Sequence, residues 1–376
     1  MRIETHALLS PSLATRREVV SFHFGPTDSG SKAYLQASLH ADELPGMLVI
    51  HQLRGLLEQA EREGRVRGEI VLVPVANPIG LSQWLLYQNM GRFELATAQN
   101  FNRGFPDFLG LLGEQFEREL GADPALNRKL IRNRIKGELD RHKPPSELDS
   151  LRFVLARLAC DADVVLDLHC DEESILHLYT EEPYWEQAEP LARYLGAEVI
   201  LLARGQGARS FDEAMSGVWW QLPERLGSER AMRHPIPLAC FSATIEYRGQ
   251  ADVNPQLALE DAERLLAFLQ HRGLVAGKPP LMPQLRREPT PLAGSEDVRA
   301  PHAGVICFCK EPGDWVEAGQ MVAEVIDPLA NLSTPVIATV AGVLYGRARE
   351  RYATPHRVVC RIAGAREFRT GMLLSP

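Results

Sequence analysis

Apolar residues along the chain form either short continuous runs or stretches with helical spacing. Continuous runs, typical of buried parallel strands, predict strands over residues 33–39, 69–75, 163–168, 175–179, 198–203 and 241–247. Apolar residues at intervals of three and four predict helices over residues 45–62, 124–142, 146–160 and 255–272. Alternating strands and helices predict an α/β fold whose mainly parallel central sheet is flanked by helices.

The ends of these helices are marked by residues that suit helix boundaries. Pro45 and Pro255 fit the first turn, where a missing N–H costs no helical hydrogen bond. Ser146 and Asn254 can cap the free N–H groups of the helices that follow them. The helical boundaries are therefore specified locally as well as by the apolar pattern.

The composition of the chain changes after residue 276. Residues 277–298 include the run KPPLMPQLRREPTPL, whose prolines predict a linker. In residues 299–376, short apolar runs are separated by turns rich in glycine, proline and aspartate, which predicts a small all-β domain. We therefore expect an α/β domain over 1–276, a linker over 277–298 and a β-domain over 299–376.

Size, charge and cysteine usage narrow the class of protein. The 376 residues, 45% of them hydrophobic, suffice for one large core and a smaller one. A formal net charge of −8 argues against a nucleic-acid partner. No apolar run approaches the ~20 residues that span a bilayer, and no secretory signal pattern is visible. The six cysteines form no C-x-x-C pair, so a cytoplasmic location fits best.

Two histidines and a glutamate near predicted strand ends are candidate metal ligands. His40 and Glu43 form an H-x-x-E turn between a strand and a helix, and His169 ends a buried strand. Zinc in catalytic sites takes three such nitrogen and oxygen ligands. The alternative is that His40 is only a polar residue at the end of a strand, and that the negative charge of Glu43 stabilises the positive N-terminal end of the following helix. We expect Asp167 to lie on the opposite strand face from His169 and therefore not to be a ligand. A role in positioning a ligand or in the structure is left open for Asp167.

Glu246 is an isolated carboxylate in FSATIEYRG, a strand otherwise suited to burial. Burial raises the pKa of a carboxyl group, which suits a residue that accepts and returns a proton near neutrality. The alternative is a strand-end glutamate paired with Arg248 or another basic residue.

The irregular stretch 78–110 contains polar residues suited to binding a substrate carboxylate. Arg103, next to Asn102 in NFNRGFP, can grip a carboxylate with two parallel hydrogen bonds. Arg92 in the same stretch is a second candidate. A salt bridge from Arg103 to Asp107 and a surface position for Arg92 are the alternatives.

The motifs HADE at 40–43, NP at 77–78, NFNRGFP at 100–106, DLH at 167–169 and TIEYRG at 244–249 occur in this order. Together they make residues 30–275 resemble the zinc carboxypeptidase superfamily, and within it the succinylglutamate desuccinylase/aspartoacylase family. The resemblance implies one zinc ion per chain, held by His40, Glu43 and His169. It implies that Glu246 is the general base for a zinc-activated water. It also implies that Asn102 and Arg103 bind the substrate carboxylate and that Arg92 polarises the scissile carbonyl.

The resemblance implies hydrolysis of an N-acyl amino acid, with two alternatives. The first is a zinc carboxypeptidase that acts on a peptide or a glutamate-type tail. The second is a carrier module, since KEPGDWVEAGQMVAEV resembles a hairpin of biotinyl and lipoyl domains. The matching second half, NLSTPVIATVAGVL, lacks the lysine that such carriers modify, which favours a structural or lid role. Whether the protein forms a homo-oligomer is left open by the sequence.

Overall fold

The computed structural model of the protein describes residues 1–205 and 209–374. The strands of this part of the chain are β1 (Arg2–Ala7), β2 (Glu18–Phe24), β3 (Lys32–Ala37), β4 (Glu69–Val73), β5 (Trp84–Leu85), β6 (Gln88–Asn89), β7 (Val164–Asp171), β8 (Glu173–Ser174), β9 (His177–Glu181), β10 (Val199–Ala203), β11 (Phe241–Gly249), β12 (Thr290–Pro291), β13 (Ser295–Arg299), β14 (Gly304–Phe308), β15 (Trp315–Val316), β16 (Met321–Asp327), β17 (Leu332–Ile337), β18 (Gly342–Arg347), β19 (Tyr352–Ala353) and β20 (Val358–Gly364). The α-helices are α1 (Pro45–Arg62), α2 (Pro78–Leu81), α3 (Phe108–Leu112), α4 (Pro124–Arg141), α5 (Glu147–Ala159), α6 (Trp185–Leu195), α7 (Phe211–Leu226), α8 (Ser228–Arg233) and α9 (Pro255–His271).

A nine-stranded mixed sheet forms the centre of the molecule, in the order β1-β2-β4-β3-β7-β11-β9-β10-β12. The pairs β4/β3, β3/β7, β7/β11, β9/β10 and β10/β12 are parallel. The pairs β1/β2, β2/β4 and β11/β9 are antiparallel. The predicted mainly parallel sheet is confirmed, and β3, β7 and β11 stand side by side at its middle.

The two faces of the sheet have separate apolar cores, which explains the continuous apolar runs in the central strands. Alternate residues such as Leu35 and Leu166 pack in one core with α1, α6 and α9. Their neighbours Tyr34 and Val165 pack in the other core with α3, α4, α5 and α7. The predicted covering of both faces by helices is therefore confirmed.

Capping residues act where the sequence predicted them. Ser146 Oγ accepts a hydrogen bond from the Asp149 N–H at the start of α5, at 3.0 Å. Asn254 Oδ1 accepts the N–H groups of Gln256 and Leu257 at the start of α9, at 2.8 and 3.1 Å. These contacts satisfy N–H groups that the first turn of a helix leaves without partners.

The part of the chain after α9 forms two further sheets around its own core. One sheet has the order β13-β20-β18-β15, and the other has the order β17-β16-β14-β19. Strand β8, from the first part of the chain, pairs with β18, and β12 joins the central sheet from within residues 277–298. The division into 1–276, 277–298 and 299–376 stays a prediction, and residues 375–376 lie outside the described part.

The apolar pattern did not predict β1, β2, α6 or α7. In the described ranges, no helix combines the length and the apolar character that crossing a bilayer requires.

Candidate active site

The three candidate ligands lie together at the carboxyl end of the central strands. His40 and Glu43 follow β3, and His169 lies in the neighbouring parallel strand β7. Glu43 Oε1 is 3.0 Å from His40 Nδ1, and Glu43 Oε2 is 2.7 Å from His169 Nδ1. All three residues are buried, and their ligand atoms lie within 4.8 Å of one another.

The NP motif holds the turn that presents His40. The buried amide of Asn77 donates from Nδ2 to the Leu39 carbonyl at 2.9 Å. Its Oδ1 accepts the Gly80 N–H at 2.8 Å and so caps α2. Asn77 therefore links the end of β3 to α2 and fixes the backbone immediately before His40.

Gly91 packs against the other side of this turn. The Ala41 N–H donates to the Gly91 carbonyl at 3.0 Å. A Cβ on Gly91 would lie 2.3 Å from the Asp42 nitrogen, so only glycine fits this approach. This contact brings Arg92, the next residue, to the cluster.

The far nitrogens of both imidazoles face buried acceptors. His40 Nε2 is 2.9 Å from Asn100 Oδ1, and His169 Nε2 is 2.9 Å from Asp167 Oδ2. For His40, Asn100 takes the Nε2 proton, and the lone pair of Nδ1 accepts from Arg92 Nη1 at 3.2 Å. Asp167 and Glu43, one at each ring nitrogen of His169, raise the pKa of that imidazole despite its burial, so a metal ion bound at its Nδ1 would replace a proton.

The prediction that Asp167 lies on the opposite face from His169 is wrong. Residues two apart on a strand point to the same face, and only Leu168 between them points away. Asp167 is fully buried; its Oδ2 forms an ion-pair contact with His169, and its Oδ1 accepts a hydrogen bond from Gln36 Nε2 at 3.0 Å. Gln36 Oε1 in turn accepts from the Tyr34 hydroxyl at 2.8 Å. A buried chain of three residues thus positions His169 from behind.

These residues fit a divalent metal ion. Two imidazole nitrogens and one carboxylate are the protein ligands of many catalytic zinc sites. Burial, together with the charge of Arg92, lowers the pKa of His40 to about 4, so its imidazole is neutral near pH 7, as a metal ligand must be. The described part of the chain can therefore hold a metal ion at His40, Glu43 and His169.

Glu246 lies beside the cluster. Its strand β11 runs parallel to β7, and Glu246 is opposite His169 in the register. Burial, together with the charge of Glu43, raises the pKa of Glu246 to about 8. The alternative partner Arg248 forms its ion pair with Asp261 instead. Within the described ranges, no hydrogen bond reaches Oε2 of Glu246.

Arg92 approaches the cluster from its more open side. Its Nη1 is 3.2 Å from His40 Nδ1 and 3.2 Å from Glu43 Oε1. The Arg92 side chain remains 41% exposed, so the guanidinium stands between the buried ligands and the mouth of the cavity.

Asn102 and Arg103 line the same cavity, on the wall formed by the NFNRGFP loop. Asn102 Oδ1 accepts the Phe211 N–H at 2.8 Å at the start of α7. Arg103 Nη1 donates to the Asn102 carbonyl at 2.7 Å. Asp107, the alternative partner of Arg103, accepts the Gly110 N–H at 3.0 Å and caps α3.

The cavity has a volume of about 440 Å³ and contains all seven candidate residues in its lining. The opposite wall comes from the last part of the chain and includes Asp297, Arg299, Tyr345, Arg361 and Arg369. Arg361 Nη1 contacts Asp171 of β7 at 2.5 Å, which joins the two walls. Sequence reasoning missed this wall, because residues 190 positions apart give no local signal of contact. Asn100 was also missed, although it opens the NFNRGFP motif.

Comparison with known proteins assigns the chain to a family. The family model of the succinylglutamate desuccinylase/aspartoacylase catalytic domain matches residues 29–272. A search of curated proteins found no match.

Solved structures share the fold over nearly the whole chain. A succinylglutamate desuccinylase/aspartoacylase family protein from Shewanella amazonensis SB2B has a TM-score of 0.83 and 26% identity, over 96% of this chain and 98% of that chain. A similar protein from Shewanella frigidimarina has a TM-score of 0.83 and 25% identity, over 96% and 97%. The product-bound ectoine utilization protein EutE (DoeB) from Ruegeria pomeroyi shares the fold, with a TM-score of 0.64 and 15% identity over 96% and 95%. Since the family model covers more than half of the 376 residues, the chain belongs to the succinylglutamate desuccinylase/aspartoacylase family, whose fold is that of the zinc carboxypeptidases.

Proposed function

We propose that the protein is a zinc-dependent hydrolase that cleaves the amide bond of an N-acyl amino acid. The supporting observation is that a buried pair of histidines with a glutamate shares one cavity with the perturbed carboxyl group of Glu246. Perturbed carboxyl groups beside metal-binding residues are characteristic of catalytic sites.

His40, Glu43 and His169 would hold the zinc ion. When bound, zinc supplies a Lewis acid that polarises the scissile carbonyl and lowers the pKa of water towards ~7. The chain holds its ligands ready for this role, because Asn100 and Asp167 fix the orientation of both imidazoles.

Glu246 acts as the general base. One of its carboxylate oxygens accepts the proton of the attacking water and then delivers this proton to the leaving amine. Burial raises its pKa, which helps the carboxyl group keep the proton until the amine leaves, and the positive charge of a bound zinc ion would favour the ionised form that accepts this proton. Such a base contributes roughly 10²–10⁴-fold to the rate.

The arginines and Asn102 orient the substrate. Arg103, with Asn102, binds the free carboxylate of the amino acid, since a guanidinium can form two parallel hydrogen bonds to it. Arg92 lies at the cluster, where its positive charge stabilises the negative charge that develops on the carbonyl oxygen.

The cavity favours a small substrate over a peptide. Its volume of about 440 Å³ is in the range of small-molecule sites. Residues of the last part of the chain, among them Tyr345, Arg361 and Arg369, form a wall across from the candidate ligands. A carboxypeptidase substrate would have to extend past this wall.

A hydrolysis screen tests the proposal. Zinc-loaded protein is incubated with N-acetyl and N-succinyl amino acids and with short peptides, and the released amine is measured. We expect turnover of an N-acyl amino acid, and no turnover in His169→Ala protein handled in the same way. Cleavage of peptides alone would favour the carboxypeptidase alternative, and no cleavage of any compound would contradict the proposal.

A further inference from the structure

A second group of metal-binding side chains lies on the outermost strands of the central sheet. Glu4 and His6 are on β1, and His23 is on β2, which pairs antiparallel with β1. We call these three residues the edge cluster. Strands β2, β4 and β3 separate β1 from β7, which contains His169, so the edge cluster is distinct from the site described above.

The ligand atoms of the edge cluster lie within 4.8 Å of one another. Glu4 Oε2 is 3.5 Å from His23 Nε2 and 4.0 Å from His6 Nε2. Tetrahedral zinc with bonds of about 2.0–2.2 Å holds its ligand atoms ~3.3 Å apart. The three side chains would therefore move slightly closer together around a bound ion. Nε2 of His6 and Nε2 of His23 converge on the Ser21 hydroxyl, which is 2.8 Å from each, and a bound ion would replace this hydroxyl as their partner.

A buried carboxylate orients His23 from behind, as in known zinc sites. Glu69 Oε1 lies 3.2 Å from His23 Nδ1 and accepts its proton, which leaves the Nε2 lone pair facing the cluster. Arg2 Nε lies 2.8 Å from Glu4 Oε1, so the other oxygen, Oε2, is turned towards the histidines. Arg2 Nη2 also lies 3.3 Å from His23 Nδ1, so an ion bound at Nε2 would select the tautomer whose Nδ1 proton faces Glu69.

The edge cluster is open to ions from solvent. The side chains of Glu4 and His6 are 38% and 22% exposed, whereas that of His23 is 7% exposed. A metal ion can therefore enter without opening of the core. We propose that the edge cluster binds a divalent transition-metal ion, which links β1 to β2 and so stabilises the edge of the sheet.

Zinc binding by the full-length protein tests the proposal. Chelator-stripped protein is dialysed against zinc, and bound metal is measured by elemental analysis. We expect two equivalents for the wild type and one each for His6→Ala and His40→Ala. His51→Ala, which removes an exposed histidine from α1, is the matched control and should keep both equivalents.

The same measurement separates this proposal from the proposed catalytic zinc. If only the catalytic assignment fails, the wild type binds one equivalent, which is lost in His6→Ala but kept in His40→Ala. Glu69→Gln should weaken zinc binding at the edge cluster by about 10–100-fold, because it removes the orienting carboxylate. Wild-type zinc stoichiometry and affinity in both His6→Ala and Glu4→Gln would overturn the proposal.

Discussion

Two groups of residues in this chain share one set of ligand types, two histidines and one glutamate, in different surroundings. The buried cluster consists of His40, Glu43 and His169, and the edge cluster was defined above. In the buried cluster all three members are buried, and both imidazoles face acceptors on the side away from the cluster. In the edge cluster, two of the three members are partly exposed.

The two clusters differ mainly in the residues that surround their ligands. The cavity at the buried cluster is also lined by Glu246, Arg92 and Arg103, which add a carboxyl group and two positive charges. No edge-cluster residue appears in that cavity's described lining. A ligand set thus predicts metal binding, whereas catalysis requires a cavity with further groups placed around it.

The largest effect that sharpens this contrast is expected at Glu246. Glu246→Gln should keep zinc at the buried cluster but lower kcat/KM by at least ~10²-fold, because an amide cannot accept a proton from water. The measurement is steady-state hydrolysis together with elemental analysis of zinc.

Glu181→Gln is the matched control for this variant. Burial also raises the pKa of Glu181 to about 8, but its oxygens accept hydrogen bonds from Ser216 and Trp220 at 2.6 and 2.9 Å. Activity close to wild type is expected for Glu181→Gln. Equal losses in the two variants would mean that Glu246 acts through stability and not as a base.

Arg103→Lys should lower kcat/KM about tenfold or more, because a lysine cannot form the two parallel hydrogen bonds of a guanidinium. The loss should nearly vanish on a substrate analogue without the carboxylate. Wild type and variant are measured with both compounds, which gives a double-mutant cycle. Additive losses would contradict contact between Arg103 and that carboxylate.

Asp167→Asn should weaken zinc binding at the buried cluster by about 10–100-fold, because the buried acceptor of His169 loses its charge. Competition with a chelator measures this affinity. The edge cluster should bind zinc as in the wild type. Unchanged affinity at the buried cluster would show that Asp167 does not orient His169.

The smallest effect is expected at the edge cluster. His6→Ala should leave kcat/KM within about twofold of the wild type, because surface changes away from a site usually cost little. A loss of more than tenfold would mean that the edge cluster affects catalysis, and the contrast between the clusters would then fail.

Much of the fold follows from local sequence, because its central elements have a clear apolar period. The strands that contain or precede the ligands are buried on both faces, so their apolar runs are continuous. Strands β1 and β2 were missed because histidine, serine and glutamate interrupt their apolar positions. Helix α7 contains Gly217 and Pro223, residues that weaken a helical prediction.

The candidate site was predictable where short motifs bring residues together. His40 and Glu43 lie three residues apart, and β3, β7 and β11 are adjacent in a parallel sheet, so their carboxyl ends meet. The prediction placed Asp167 on the wrong face of its strand. Because residues two apart on a strand share a face, the sequence alone was enough to place Asp167 beside His169. The wall with Arg361 could not be predicted, because it depends on how two separately formed sheets pack.

The central claim is that the buried cluster holds the metal on which hydrolysis depends. Metal-free wild type and His169→Ala are titrated with zinc while hydrolysis of the best N-acyl amino acid from the screen is followed. We predict that wild-type activity rises with zinc and saturates once the buried cluster is filled, whereas His169→Ala remains inactive throughout. Full activity without metal, or equal recovery of His169→Ala, would contradict the account.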